Sequence, residues 1–260
     1  MSQADQSLTP ERRREQILTY LSAHDRSSVG ELSQFLGVSE VTVRKDLDQM
    51  EAQGVLTRIH GGAVVSGRGR LELFFAAREQ QHLEQKRRIA QAAAAMIKSG
   101  QRIFLDASTT ALQVARLIKD REDLTVVTNG LYTALELNFC DGITTIVVGG
   151  TMRPRSSSLV GSFNYNSLQR LRVDIGLFGA QAATTRDGLM ESDLDEAQLK
   201  ARLVTAAGVV VGVLDSSKFG KIAFSAFAMP NEIDRIITDT DAPPAMVAEF
   251  REQDIIVDLV

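Results

Sequence analysis

The stretch Ser28–Met50, SVGELSQFLGVSEVTVRKDLDQM, carries the punctuation of two consecutive helices. Ser28 and Glu31 stand at capping-box spacing, so a helix is predicted to begin there. It runs to Leu36, and Gly37 supplies the left-handed residue that ends it. Ser39 can cap a second helix, with Glu40 in the first turn, where the helix dipole favours an acid. Two helices joined by Gly37-Val38-Ser39 make a helix-turn-helix. On the second helix Val43, Leu47 and Met50 share one face. At 100° per residue the opposite face presents Val41, Thr42, Arg44, Lys45 and Asp48.

Upstream, Glu11–Leu21 reads as a third helix that packs through Ile17, Leu18 and Leu21. Downstream of Gly54, Val55–Ile59 and Ala63–Val65 can form a two-stranded wing around His60-Gly61-Gly62. That arrangement suits double-stranded DNA. Arg44 and Lys45 can reach guanine edges or phosphates, Thr42 either, and Val41 a thymine methyl. Ser39, at the turn, belongs to the same face, and Arg58, His60 and Gly61 fall where a wing meets the backbone or minor groove.

Composition is less eloquent. The chain has 260 residues, 44% hydrophobic, enough for one large core and a small satellite domain. Net charge is −4, so nucleic-acid binding has to be argued locally. Residues 1–88 carry 13 Lys+Arg against 12 Asp+Glu; residues 89–260 carry 16 against 21. The asymmetry has the right sign and is weak. Cys140 is the single cysteine, which excludes an internal disulfide and a Cys-cluster metal site. No run approaches the ~20 apolar residues of a membrane span. The N-terminus lacks an apolar signal region, so a cytoplasmic protein is expected.

Residues 1–62 thus read as a DNA-binding domain. Residues 63–83, with Ser66, Gly67 and Gly69 beside Arg68 and Arg70, read as a basic connector. Residues 84–260 alternate helix and strand. Helix Gln85–Lys98 should stop at Gly100; strand Arg102–Leu105, helix Thr109–Lys119, strand Leu124–Thr128, helix Leu131–Asn138 and strand Ile143–Val148 follow. Then come helix Asn166–Leu171, strand Val173–Phe178, helix Glu196–Ala207, strands Val209–Leu214 and Arg235–Thr238, helix Pro244–Arg251 and strand Ile255–Leu259. The strands are continuously apolar, as when helices cover both sheet faces. The expected fold is α/β: a winged helix-turn-helix followed by a doubly wound, mostly parallel sheet.

Ligands of such sheets bind beyond the carboxyl ends of the strands. There the chain places Asp106-Ala107-Ser108-Thr109-Thr110, small hydroxyl residues leading into a helix start, which suits a phosphate. Asn129-Gly130 and Gly149-Gly150 end the next two strands, the glycines permitting close backbone approach to a ligand. Further on, Asp215 and Lys218 offer a carboxylate and a cation, with Glu191 and Lys200 between.

The string ERRREQILTYLSAHDRSSVGELSQFLGVSEVTVRKDLDQMEAQGVLTRIHGGAV resembles the DeoR-type winged helix, through GVSEVTVRKDL and HGGAV above all. The resemblance extends over roughly residues 10–258. It implies a bacterial sugar-metabolism repressor without a cofactor, working as a homodimer or homotetramer on operator DNA and relieved by a phosphorylated sugar. It also implies an effector domain sharing its fold with ribose-5-phosphate isomerase and glucosamine-phosphate deaminase. DASTT would then be the phosphate loop, TNG and VGG would line the sugar, and DSSKFG would close the site. Many relatives carry an Asn or Asp in the loop where this chain has Gly179-Ala180-Gln181-Ala182-Ala183, which leaves Gln181 as the candidate there. Two other readings stay open on residues alone. One is an isomerase or deaminase with an appended DNA-binding module, using Glu191, Asp215 or Asp106 as acid or base. The other is an architectural DNA-binding protein with a dimerising α/β domain.

Overall fold

A computed structural model of the chain describes residues 9–24, 26–52, 56–65, 75, 78–154, 156–161, 168 and 170–260. They divide into two units, Met1–Gln81 and His82–Val260. In the first, the apolar stripes at helical spacing bury themselves against one another. Helices α1 (Pro10–His24), α2 (Val29–Leu36) and α3 (Glu40–Ala52) enclose Ile17, Leu21, Leu32, Val43, Leu47 and Met50. The capping box at Ser28 and Glu31 is formed, and Gly37 takes φ 65° at the end of α2. The wing strands β2 (Leu56–Ile59) and β3 (Gly62–Val65) pair antiparallel, so the winged unit continues to Val65.

A short strand precedes α2. This β1 (Arg26–Ser28) pairs with β3, and a side chain on Gly62 would lie 2.2 Å from the Ser27 carbonyl oxygen. Glycine at 62 is what lets the two strands meet. Three residues are too few to show a strand's alternation, so the sequence did not announce it. An ion pair from the Arg13 guanidinium to Asp46, buried in α3, ties α1 to the reading helix.

The second unit is built on a seven-stranded sheet in the order β15-β14-β12-β9-β4-β5-β6, parallel throughout. Its strands are β4 (Arg102–Leu105), β5 (Leu124–Thr128), β6 (Ile143–Val147), β9 (Val173–Phe178), β12 (Ala207–Val213), β14 (Arg235–Thr238) and β15 (Ile256–Leu259). Alternate residues face opposite sides. Ile103, Leu105 and Val126 join the core under α4 (Leu83–Ala95), α5 (Thr109–Leu117) and α6 (Leu131–Leu137). Phe104, Val127 and Phe178 join the other core, under α7 (Leu194–Ala206) and α8 (Pro244–Glu252). Starting from β4 the chain winds outward through β5 and β6, then returns to β9 and winds the other way. The switch point of this doubly wound sheet lies between β4 and β9.

Strand positions agree with the sequence pattern closely, and three features differ. α4 ends at Ala95, so Gly100, at φ 82°, belongs to the turn before β4 and does not terminate the helix. A hairpin of β7 (Thr151–Arg153) and β8 (Ser158–Val160) follows β6. An antiparallel sheet of β10 (Ala182–Thr184), β11 (Gly188–Glu191) and β13 (Ser225–Ala228) lies over the α7 side, where loops were expected. Half of the expected helix Asn166–Leu171, and the connector residues Ser66–Arg70, lie outside the described residues. Among the described residues no helix is long and apolar enough to cross a membrane.

Candidate functional site

Two separate surfaces carry chemistry, one in each unit. In the first unit, Ser39 Oγ accepts from the Thr42 N–H at 3.2 Å and meets Thr42 Oγ1 at 2.9 Å, fixing the start of α3. Beyond that cap the outward face of α3 bears Val41, 60% exposed, with Arg44 and Lys45. Arg44 donates to Glu40 at 2.6 Å, a pair half in solvent, so its guanidinium can be released to a better acceptor at little cost. The Lys45 ammonium has no hydrogen bond or ion pair among the described residues. His60 and Gly61 sit exposed at the wing turn, Gly61 at φ 76°. Arg58 is placed differently: its backbone N–H donates to Glu51, and its guanidinium approaches Asp48 of α3 at 3.5 Å. It braces the wing against the reading helix. α3 and the wing turn form one polar surface with a free cation, the layout of a nucleic-acid interface.

In the second unit the sheet's switch point gathers a buried cluster. Asp106, fully buried at the end of β4, accepts from Ser108 N at 3.0 Å and Gly179 N at 2.8 Å. Its carboxylate also pairs with Lys200 Nζ at 2.7 Å. That ammonium, buried on α7, further donates to Glu191 at 2.6 Å and to the Gly179 carbonyl at 3.0 Å. Burial works against the Lys200 charge, yet Asp106 and Glu191 outweigh it and hold its pKa above the ordinary lysine value. Burial pushes the Glu191 carboxyl up, against the pull of Lys200. Every oxygen of Asp106 is thus engaged inside the protein. Its contribution is to hold the loop that follows.

That loop is the informative part. Ser108 Oγ caps α5 by accepting from Ala111 N at 3.1 Å. The backbone N–H groups of Thr109 and Thr110, and their hydroxyls, have no acceptor or donor among the described residues. Two free amides at the start of a nine-residue helix concentrate its positive end on one spot. Gly179 fits against this loop because a side chain there would lie 2.4 Å from Ser108 Cβ. Gly130 likewise lies against Ala107, so the Asn129 loop joins the same cluster. Fully buried Asn129 donates through Nδ2 to Leu159 O at 3.3 Å and Glu196 at 3.0 Å, while its Oδ1 accepts nothing.

Several residues singled out by the sequence have other employment. Gly150 is required by the β7–β8 hairpin, since a side chain there would strike the Val160 carbonyl at 2.2 Å. The close approach at Gly150 is therefore to this chain's own backbone. Asp215, buried after β12, accepts from Ser217 N at 3.1 Å and caps a single turn of 3-10 helix. Lys218, in that turn, has no side-chain partner among the described residues. Gln181 is half-buried; its backbone N–H donates to Met190 O at 3.0 Å. With Asp106 and Glu191 both engaged by Lys200 and Asp215 capping a turn, none of the three stands free as an acid or base.

Glu196 was missed. One helical turn before Lys200, it accepts from Arg153 at 2.7 Å, Ser158 at 2.6 Å and Asn129 at 3.0 Å, binding the hairpin and β5 to α7. The signal was present: two opposite charges four apart on the helix face that carries Leu199 and Leu203.

Comparison with known proteins places this geometry. The family model "DeoR-like helix-turn-helix domain" matches residues 13–68, and "DeoR C terminal sensor domain" matches residues 81–240. The HTH-type transcriptional regulator GolR of Listeria innocua is 34% identical over 94% of this chain and 96% of its own length. GlpR of Haloferax volcanii, another HTH-type transcriptional regulator, is 39% identical over 89% and 91%. The glycerol-3-phosphate regulon repressor of Escherichia coli strain K12 is 28% identical over 89% and 92%. Among solved structures, ribose 5-phosphate isomerase A of Methanocaldococcus jannaschii aligns at 17% identity and TM-score 0.40, covering 53% of this chain and 55% of that one.

Proposed function

The chain belongs to the DeoR family of helix-turn-helix transcription regulators, and from that premise we propose that it represses a carbohydrate-utilisation operon and leaves its operator when a phosphorylated sugar binds. It is a DNA-binding regulator and not an enzyme. One observation carries the sensing half: the unengaged amides of Thr109 and Thr110 at the start of α5, placed beside the sheet's switch point. A phosphate would accept from both and sit on the positive end of the helix dipole. Asn129 Oδ1 offers an acceptor to a sugar hydroxyl, and Lys218 a second cation. Asp106, Glu191 and Lys200 form the brace behind the loop.

On the DNA side, Val41, Thr42, Arg44 and Lys45 would read or grip the major groove, with His60 and Gly61 at the flanking backbone. Ligand binding would favour an arrangement of subunits whose reading helices no longer match the two half-sites. The protein would act as a cytoplasmic homo-oligomer. The test is thermal unfolding with a panel of phosphorylated sugars and their unphosphorylated counterparts. A ligand at a hundredfold its Kd should raise the sensor unit's Tm by roughly 5–10 °C. Equal shifts with the unphosphorylated sugars, or none with any compound, would count against the proposal.

A further inference from the structure

Among the described residues, nothing pairs with the edge of the seven-stranded sheet at β6. A terminal strand presents a row of unpaired backbone groups, and natural proteins blunt such edges with charges, proline or bulges. β6, Ile-Thr-Thr-Ile-Val, has none of these, and Ile146 and Val147 are each more than two-fifths exposed. The opposite edge, β15, carries Asp258 in an ion pair with Arg235. Ile143 lies in the core beneath α6, and residues alternate along the strand, so Val147 faces the α6 side. There Leu135 and Phe139, one turn apart, are 67% and 90% exposed. They rim a groove of about 390 Å³ between α5 and α6, lined also by Leu112 and Tyr132.

We propose that this edge is where a second copy of the chain docks, β6 pairing antiparallel with its counterpart across a two-fold axis. The occupant is argued from the surface itself. A two-fold partner brings the same apolar strand in a self-complementary register centred on Thr145. It also brings a protruding phenyl group, Phe139, to the groove that stands beside each Phe139. The rim cations, Arg116 and Lys119, both pair with Glu136, which leaves each copy a single net positive charge there. Leu135, Phe139, Ile146 and Val147 together expose on the order of 450 Å² of apolar side chain, close to the apolar share of a standard interface of ~800 Å² per partner. Two-fold pairing closes on itself. Each chain has one reading helix, so a dimer of this kind delivers two to an operator.

The experiment is sedimentation equilibrium on the full chain without DNA. The parent should show twice the mass of one chain or a multiple of that. Leu135→Glu/Phe139→Glu should fall to a single chain with its circular dichroism unchanged, because both side chains already face solvent. Its operator affinity should drop by roughly 10²- to 10⁴-fold as the two reading helices lose their linkage. A second arm does not depend on that variant folding. In a Cys140→Ser chain, Thr145→Cys should form an intermolecular disulfide on mild oxidation, since directly opposed residues of an antiparallel pair bring their Cβ atoms within reach. A monomeric parent would overturn the proposal. So would a dimer that survives the double substitution and is not cross-linked through residues 144, 145 or 146. Neither result depends on whether a phosphosugar is sensed.

Discussion

Replacing Lys200 with Met keeps the length and apolar body of the side chain and removes only the ammonium. Among the described residues that charge is the only counter-ion of two buried carboxylates, Asp106 at 2.7 Å and Glu191 at 2.6 Å. Stranding buried charges in this way costs about 3–5 kcal/mol, against at most ~1 for an exposed pair. For a unit of this size each kcal/mol moves Tm by roughly 2–4 °C, so the sensor unit should melt roughly 6–20 °C lower. The penalty must depend on pH in a definite direction. Burial already pushes the Glu191 carboxyl up, and the variant loses the cation that pulls it back, so the folded state tolerates that carboxyl better protonated. The deficit should therefore shrink toward pH 5 and widen toward pH 8. Lys200→Met/Glu191→Gln should regain part of the loss. Urea unfolding of parent and variants at both pH values measures all of this. A loss below about 1 kcal/mol, or one equal at the two pH values, would refute the reading of the cluster as a buried, charged brace.

Three further outcomes are expected. In the parent, Lys200 keeps its proton above the ordinary lysine range, so its contribution is complete below pH 10.5 and is lost as pH rises through the folded value; alkaline unfolding should show a steeper fall for the parent than for Lys200→Met. Gly179→Ala forces a methyl to within 2.4 Å of Ser108 Cβ, so the Ser108 loop, proposed to hold the phosphate, must shift and phosphosugar affinity should fall at least tenfold, read by calorimetric titration, while operator binding stays within a factor of two. Lys45→Ala should weaken operator and unrelated DNA alike and lower the slope of log affinity on log salt by about 1; Arg44→Ala should instead cost about 1–3 kcal/mol on the operator and relax base preference, as salt-dependent anisotropy would report.

Much of this architecture could be read from the chain because its cues are local. Ser28 with Glu31 and Gly37 mark helix ends through the backbone itself, and β4, β5, β9 and β14 are bounded where their apolar runs stop. The short antiparallel pieces were invisible for the complementary reason. β1, β7, β8 and β10 have three residues each, and their pairing depends on distant chain, as Gly62 against Ser27 or Gly150 against Val160 shows. In the sensor unit, Asp106 and Asn129 were legible as polar residues at strand ends and Lys200 as a cation on a helix, but their division of labour was not. Which oxygen is engaged and which amide is free depends on Gly179, Glu191 and Glu196, brought from far along the chain.

The most direct test of the central claim is fluorescence anisotropy of an operator fragment titrated with the full chain at fixed salt, with and without each member of a phosphosugar panel. The account predicts that one phosphosugar weakens operator binding by at least tenfold, while its unphosphorylated form and inorganic phosphate at the same concentration do not. Operator affinity unchanged by every phosphosugar, or changed equally by the unphosphorylated forms, would contradict it.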